Sequence, residues 1–155
     1  MPGLKFSRIA AISLLSVVTL FAAGCGGDGD AKSNVSDQVI DDRERQWDDQ
    51  NIEDYTLAYE ERRSGPDLRV TVEVRDSRID DIDYDTDDLR PGGLTGGPFT
   101  VDGLFDLIRR AKNEARELNV QFDETRGYPI FIAIDWVRGN VNDEVDIEVT
   151  SFTAR

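Results

Sequence analysis

Leu68-Arg69-Val70-Thr71-Val72-Glu73-Val74-Arg75 carries an apolar side chain at every second position. Successive side chains of a strand point to opposite faces, so this pattern gives one buried face and one solvated face. Asp76-Ser77 is short enough to be a hairpin connection, and Arg78–Tyr84 then returns with Ile79, Ile82 and Tyr84 as its apolar positions. Strands with one wet face, joined by short turns, make an antiparallel sheet whose other face needs a cover.

On the N-terminal side, Tyr55-Thr56-Leu57-Ala58-Tyr59 reads as a further strand, separated from Leu68 by the turn chemistry of Arg63-Ser64-Gly65-Pro66-Asp67. Before it, Ser36 is placed to cap a helix running to about Gln50, with Val39, Ile40 and Trp47 as its apolar stripe and Val35 spaced to staple on Ile40. On the C-terminal side, residues 91–98 are a Gly/Pro loop, after which Thr100 caps a second helix, with Phe99 and Leu104 spaced for a staple. Its stripe is Val101, Leu104, Phe105, Ile108, Ala111, Ala115 and Leu118. Arg109, Arg110, Lys112 and Arg116 fall in its C-terminal half, where cations suit the helix dipole. Strands are expected at Val120–Asp123, Pro129–Val137 and Val145–Ser151. The expectation is an α+β domain in the order helix-βββ-helix-βββ, an antiparallel sheet covered on one face by two helices. The two αβββ halves do not align residue by residue.

The whole chain has 155 residues, with 18 Lys+Arg against 32 Asp+Glu, a net charge of −14. Acids are mostly Asp (22 against 10 Glu) and bases mostly Arg (15 against 3 Lys). There is no His, which excludes His-dependent triads, His metal sites and His proton shuttles. One Cys excludes an internal disulfide framework and Cys-rich metal sites. Nucleic acid is not an expected partner, because phosphate binding needs a basic footprint. High Asp with Arg in place of Lys also fits a saline habitat, where acidic surfaces stay hydrated.

The N-terminus reads as an address. Lys5 and Arg8 precede an uncharged run from Ile9 to Ala23, shorter than the roughly 20 residues that span a bilayer and typical of a signal-peptide core. It ends in Phe21-Ala22-Ala23-Gly24-Cys25, followed by Gly26-Gly27-Asp28-Gly29-Asp30. This segment resembles the lipobox of bacterial lipoproteins, with Ala22 where an aliphatic Leu is commonest. The resemblance implies diacylglycerol transfer to the Cys25 thiol, cleavage after Gly24 and acylation of the new amino terminus. Residues 1–24 are then a lipoprotein signal peptide, 25–35 a flexible tether and 36–155 a single α+β domain. Loss of Lys5 and Arg8 with no acid moves the charge from −14 to −16. Gly26 stands where Asp retains lipoproteins in the inner membrane, so in a Gram-negative host the resemblance implies the outer membrane.

Phe99-Thr100-Val101-Asp102-Gly103-Leu104-Phe105, Phe122-Asp123, Gly127-Tyr128-Pro129, Asp135 and Asn142-Asp143-Glu144-Val145, ending near Phe152, form a second pattern. Together with the upstream order Trp47, Tyr55 and Val70-Thr71-Val72, it resembles a large family of uncharacterised bacterial lipoproteins and secreted proteins with a Tyr-Pro strand motif, a domain of unknown function. The resemblance implies Gly127, Tyr128, Pro129, Asp135 and Asp143 as motif residues, and no established activity. Members commonly carry a Cys pair after the first strand, where this chain has Glu60-Glu61-Arg62-Arg63. The residues also explain themselves structurally. Gly127 can take the positive φ of a turn, Pro129 at a strand start needs no ladder N–H, and Asp123 and Asp143 suit turn ends.

The densest acidic run is Asp80-Asp81-Ile82-Asp83-Tyr84-Asp85-Thr86-Asp87-Asp88. Asp81, Asp83, Asp85 and Asp87 lie at alternate positions and are candidate Ca²⁺ ligands. An EF-hand fails, because its Gly and Glu positions hold Asp88 and Leu94. The simpler reading is a solvated acidic edge that discourages strand pairing. Arg62-Arg63 and Arg109-Arg110 read as ion-paired. The expected protein is an extracytoplasmic lipoprotein attached to the membrane through Cys25, without cofactor or catalytic residues. It would act as a binding or envelope-structural module with an envelope protein as a possible partner. A Ca²⁺-binding surface module and a small hydrolase are the alternatives.

Overall fold

In a computed structural model of the protein, the described residues are 32–63, 65–85, 100–136 and 143–155. The signal segment with Cys25, the Gly-rich stretch 91–98, Phe99 and Asp87 lie outside them. The elements are β1 (Lys32–Ser33), α1 (Asp37–Asp48), β2 (Tyr55–Arg62), β3 (Leu68–Arg75), β4 (Arg78–Tyr84), α2 (Val101–Glu114), β5 (Glu117–Phe122), β6 (Pro129–Asp135) and β7 (Glu144–Ala154). The fold is mixed α and β: six antiparallel strands and two helices, with the two-residue β1 added along one edge in parallel to β5.

The spatial order β1-β5-β6-β7-β2-β3-β4 shows how the sheet is assembled. Two meanders, β2-β3-β4 and β5-β6-β7, join where β7 runs antiparallel to β2, from Tyr55↔Ala154 to Arg62↔Asp146. Alternation fixes which side chains are buried. Leu57 faces Val72, Tyr59 faces Val70, Ile132 faces Ile147 and Ile134 faces Val145, all on the buried side. α2 packs on β5 and β6, presenting Val101, Leu104, Phe105, Leu107, Ile108 and Ala111, all buried. The β3–β4 hairpin turns at Asp76 (φ 47°) and Ser77 (φ 58°), both left-handed as a two-residue primed turn requires.

The caps sit where the sequence places them. The Val39 N–H donates to Ser36 Oγ (3.3 Å) and the Gly103 N–H to Thr100 Oγ1 (3.0 Å). Val35 and Ile40 are both buried. Several details differ from expectation, among them β2, which continues to Arg62, and β5, which runs from Glu117 to Phe122. Val39 is 43% exposed, because it lies off the α1 face that buries Ile40 and Trp47. α2 stops at Glu114, so Leu118 belongs to β5, where its burial comes from strand alternation rather than the helical stripe. β6 ends at Asp135, with Trp136 beyond it and Val137 outside the described residues, and β7 extends past Ser151 to Ala154 because β2 continues to pair with it.

A further difference is at the expected tether, whose last residues join the domain. Lys32 and Ser33 pair with Glu117 and Leu118, and the Asn34 N–H donates to the Leu118 carbonyl (3.2 Å). The Asn34 side chain then continues the ladder: its Nδ2 donates to the Val120 carbonyl (3.1 Å), and the Val120 N–H donates to its Oδ1 (2.9 Å). An amide side chain thus stands in for one residue of strand backbone along β5.

Candidate functional site

The Gly-Tyr-Pro residues lie at one end of the sheet. Asp123 Oδ1 accepts from the Thr125 N–H (3.0 Å) and the Arg126 N–H (2.6 Å), building the turn between β5 and β6. Gly127 (φ +84°) closes it, and Pro129 opens β6. α1 lies against this turn so tightly that a Cβ on Gly127 would sit 2.5 Å from the Arg43 carbonyl oxygen. Gln46 Nε2 donates to the carbonyls of Glu124 (3.0 Å) and Thr125 (3.1 Å), and Gln50 Nε2 to that of Arg126 (2.7 Å).

Tyr128 enters an aromatic cluster. Its ring stacks on Phe152 at 4.7 Å, and Trp47 meets Tyr55, Phe152 and Tyr128 edge-on at 5.6, 5.5 and 6.2 Å. The polar ends of the cluster are satisfied: Trp47 Nε1 donates to Asp102 Oδ1 (3.2 Å), and the Tyr55 hydroxyl oxygen accepts from the Val101 N–H (3.1 Å). Burial pushes the Tyr55 phenol up to about 12. Burial, with Asp123 nearby, also raises Tyr128. Residues from α1, β2, the β5–β6 turn, β7 and the start of α2 therefore meet in one satisfied cluster.

The opposite end of the sheet holds the unsatisfied groups. Among the described residues, the buried side-chain oxygens without a hydrogen-bond partner are the Tyr59 hydroxyl, Asp135 Oδ1 and both Asp143 oxygens. Asp143 therefore does not cap a turn as expected. Asp135 keeps one oxygen on Arg116 Nη1 (2.5 Å). Glu61 is only 2% exposed and is held by Arg63. Burial, with Glu61 and Tyr84 adjacent, raises the Tyr59 phenol, which stays neutral. Asp143 directly precedes Glu144, the partner of Asp135, so Asp143 and Asp135 lie near each other, whereas Glu61 does not join them. Asp135 pairs with Glu144 and Glu61 with Ile147, on opposite sides of β7. That register separates Asp135 from Glu61 by about 14 Å, too far for two carboxyls to share one reacting bond. What Asp135 and Asp143 can do is accept hydrogen bonds from an N–H or cationic donor.

The acidic strand β4 is the outer edge of the sheet. Asp80 pairs with Arg75 (3.1 Å) and Asp85 with Arg69 (3.5 Å), while Asp81 and Asp83 stand opposite Glu73 and Thr71. Alternate residues of a strand are about 7 Å apart, which spreads the three described candidates along the edge. No group of three acids among the described residues is arranged to hold a metal ion. Arg62 bridges Glu60 and Glu148, Arg109 bridges Asp41 and Glu44, and Arg110 lies over Trp136 at 5.3 Å. A shallow depression of about 330 Å³ on the open face is lined by Gln121, Ile130, Phe131, Glu148 and Val149.

Two features escaped the sequence reading. Glu61 shares the parity of Tyr55, Leu57 and Tyr59, so alternation alone would have placed it on the buried face. Asn34 gave no signal, because a side chain that mimics backbone leaves no periodicity. No helix among the described residues is long and apolar enough to cross a membrane. The sequence model of a family described as a family of unknown function (DUF6174) matches residues 39–154. No curated protein and no solved structure matches the chain.

Proposed function

The chain belongs to the DUF6174 family, a family of unknown function, and from that premise we propose that it is an extracytoplasmic lipoprotein whose domain is a non-enzymatic binding or envelope-structural module. The observation that carries the reading is the single Cys of the chain, placed at Ala22-Ala23-Gly24-Cys25 behind a short apolar run and two cations. The Cys25 sulfur takes a diacylglyceryl group from a membrane phospholipid, whose phosphate head group leaves as the thiol loses its proton. Water hydrolyses the peptide bond after Gly24, and the freed amino group takes an acyl chain from a phospholipid ester, which leaves as the lysophospholipid. At about 0.8 kcal/mol per buried CH₂, one chain anchors marginally while two or three hold stably.

Two features of the domain support a module over a catalyst. The Gly127-Tyr128-Pro129 residues serve a packed aromatic cluster, and the register sets the buried Glu61 apart from Asp135. Gly26 supports the outer membrane as destination in a Gram-negative host.

Cys25→Ser is the test. The variant should retain residues 1–24 by mass and take up no palmitate label. Unchanged mass and labelling would overturn the anchor. Crosslinking in the native envelope then tests the module, which should yield a specific adduct; a domain that stays monomeric there would count against it.

A further inference from the structure

The two edges of the sheet differ in charge, and the N-terminal segment enters at only one of them. β1 lies on β5, so the chain leading from Cys25 reaches the domain at the β1–β5 edge. That edge carries the uncharged residues Ser33, Asn34, Asn119 and Gln121, the cation Lys32, and one acid, Glu117, which stands opposite Lys32 in the strand pairing and beside Arg116 at 3.6 Å. The acids at the start of α1 are compensated as well: Asp37 by Lys112, Asp41 by Arg109 and Asp42 by Arg45. The far edge is β4, where Asp80, Asp81 and Asp83 outnumber Arg78. Asp80 is paired with Arg75, while Asp81 and Asp83 are exposed.

Lengths turn this asymmetry into an orientation. Seven peptide steps separate Cys25 from Lys32. They reach at most about 25 Å when fully extended. β4 stands five strand spacings from β5, about 24 Å away, or roughly three Debye lengths at physiological salt. A tether this short holds its own edge near the lipid. Repulsion between the acids of β4 and anionic headgroups opposes the inverted pose.

We infer that the neutral β1–β5 edge is the membrane-facing surface of the domain, lying against the headgroups of the bilayer that holds Cys25, with the acidic β4 edge turned outward. This rests on the lipid-anchor reading and adds a direction to it. A component approaching from the aqueous side then meets β4 first.

The test uses the full lipidated chain in vesicles of phosphatidylethanolamine and phosphatidylglycerol carrying a headgroup nitroxide lipid. Lipidation removes the native thiol, so a fluorophore reacts only with an introduced Cys, in Gln121→Cys or Asp83→Cys. Quenching at position 121 should exceed that at 83 several-fold, and a Gly/Ser insertion after Gly29 should shrink the difference. Glu117→Cys and Asp81→Cys form a second pair should either first variant fold poorly. Equal or reversed quenching on a chain whose intact mass carries the lipid overturns the orientation alone. An intact mass without lipid overturns the anchor and the orientation together.

Discussion

At Gly127 two constraints coincide: φ is +84°, and the Arg43 carbonyl lies where a side chain would begin. Ala there must take a left-handed conformation and push α1 away, so Gly127→Ala should lower unfolding free energy by about 2–4 kcal/mol in urea titration. An unchanged midpoint would mean that α1 does not press on the turn. The buried phenols give a second expectation. Tyr55 is raised to about 12, and Tyr59 is raised as well, both chiefly by burial. The unfolded chain ionises them near their ordinary value of about 10, so between there and the folded value it binds fewer protons than the folded chain. Stability is therefore full below about pH 10 and falls as pH rises above it, which melting curves across the alkaline range would show. A flat profile would mean that the two hydroxyls are solvated. Glu73 works in the opposite direction: Arg155 lowers its pKa, and its contribution is lost as pH falls through that depressed value.

Among the elements, the aromatic cluster joins parts distant in sequence. Tyr128→Ala removes the ring that stacks on Phe152 and meets Trp47, and should cost about 3 kcal/mol by differential scanning calorimetry. A lost crosslink to an envelope partner with an unshifted melting temperature would instead make Tyr128 a contact residue. The elements were legible where a local rule acts alone. β3 and β4 have the expected bounds because the alternation of β3 and a two-residue turn fix where the hairpin begins, although the pairing shifts register between Glu73 and Val74 and leaves Ile79 exposed. The caps Ser36 and Thr100 were readable from chemistry. Boundaries set by tertiary pairing were not. Leu118 fits a helical period as well as a strand, and the far end of β7 follows from its pairing with β2. The cluster was half legible: Trp47, Tyr55, Tyr128 and Phe152 each belong to the resemblance pattern, but nothing local says that they meet. The Asp143 carboxyl was misread because turn chemistry and burial without a partner look alike in one dimension.

For the whole molecule, the acid excess governs response to salt. Many Arg side chains are engaged in ion pairs, while Asp81 and Asp83 at the outer edge face no base across the sheet. Screening relieves this self-repulsion, so the melting temperature should climb between about 0.05 M and about 1 M NaCl. A flat or falling curve would argue against a saline adaptation. Asn34 has the widest consequence. Its amide occupies the hydrogen-bonding positions of Val120, the β5 residue that a neighbouring strand would otherwise pair with. A version of the chain trimmed to begin at Val35, the natural choice for obtaining soluble protein without its anchor, would uncover that strand. We expect such a preparation to oligomerise edge to edge in light scattering while one beginning at Lys32 stays dispersed, so the best starting residue for a soluble form is decided by a single carboxamide.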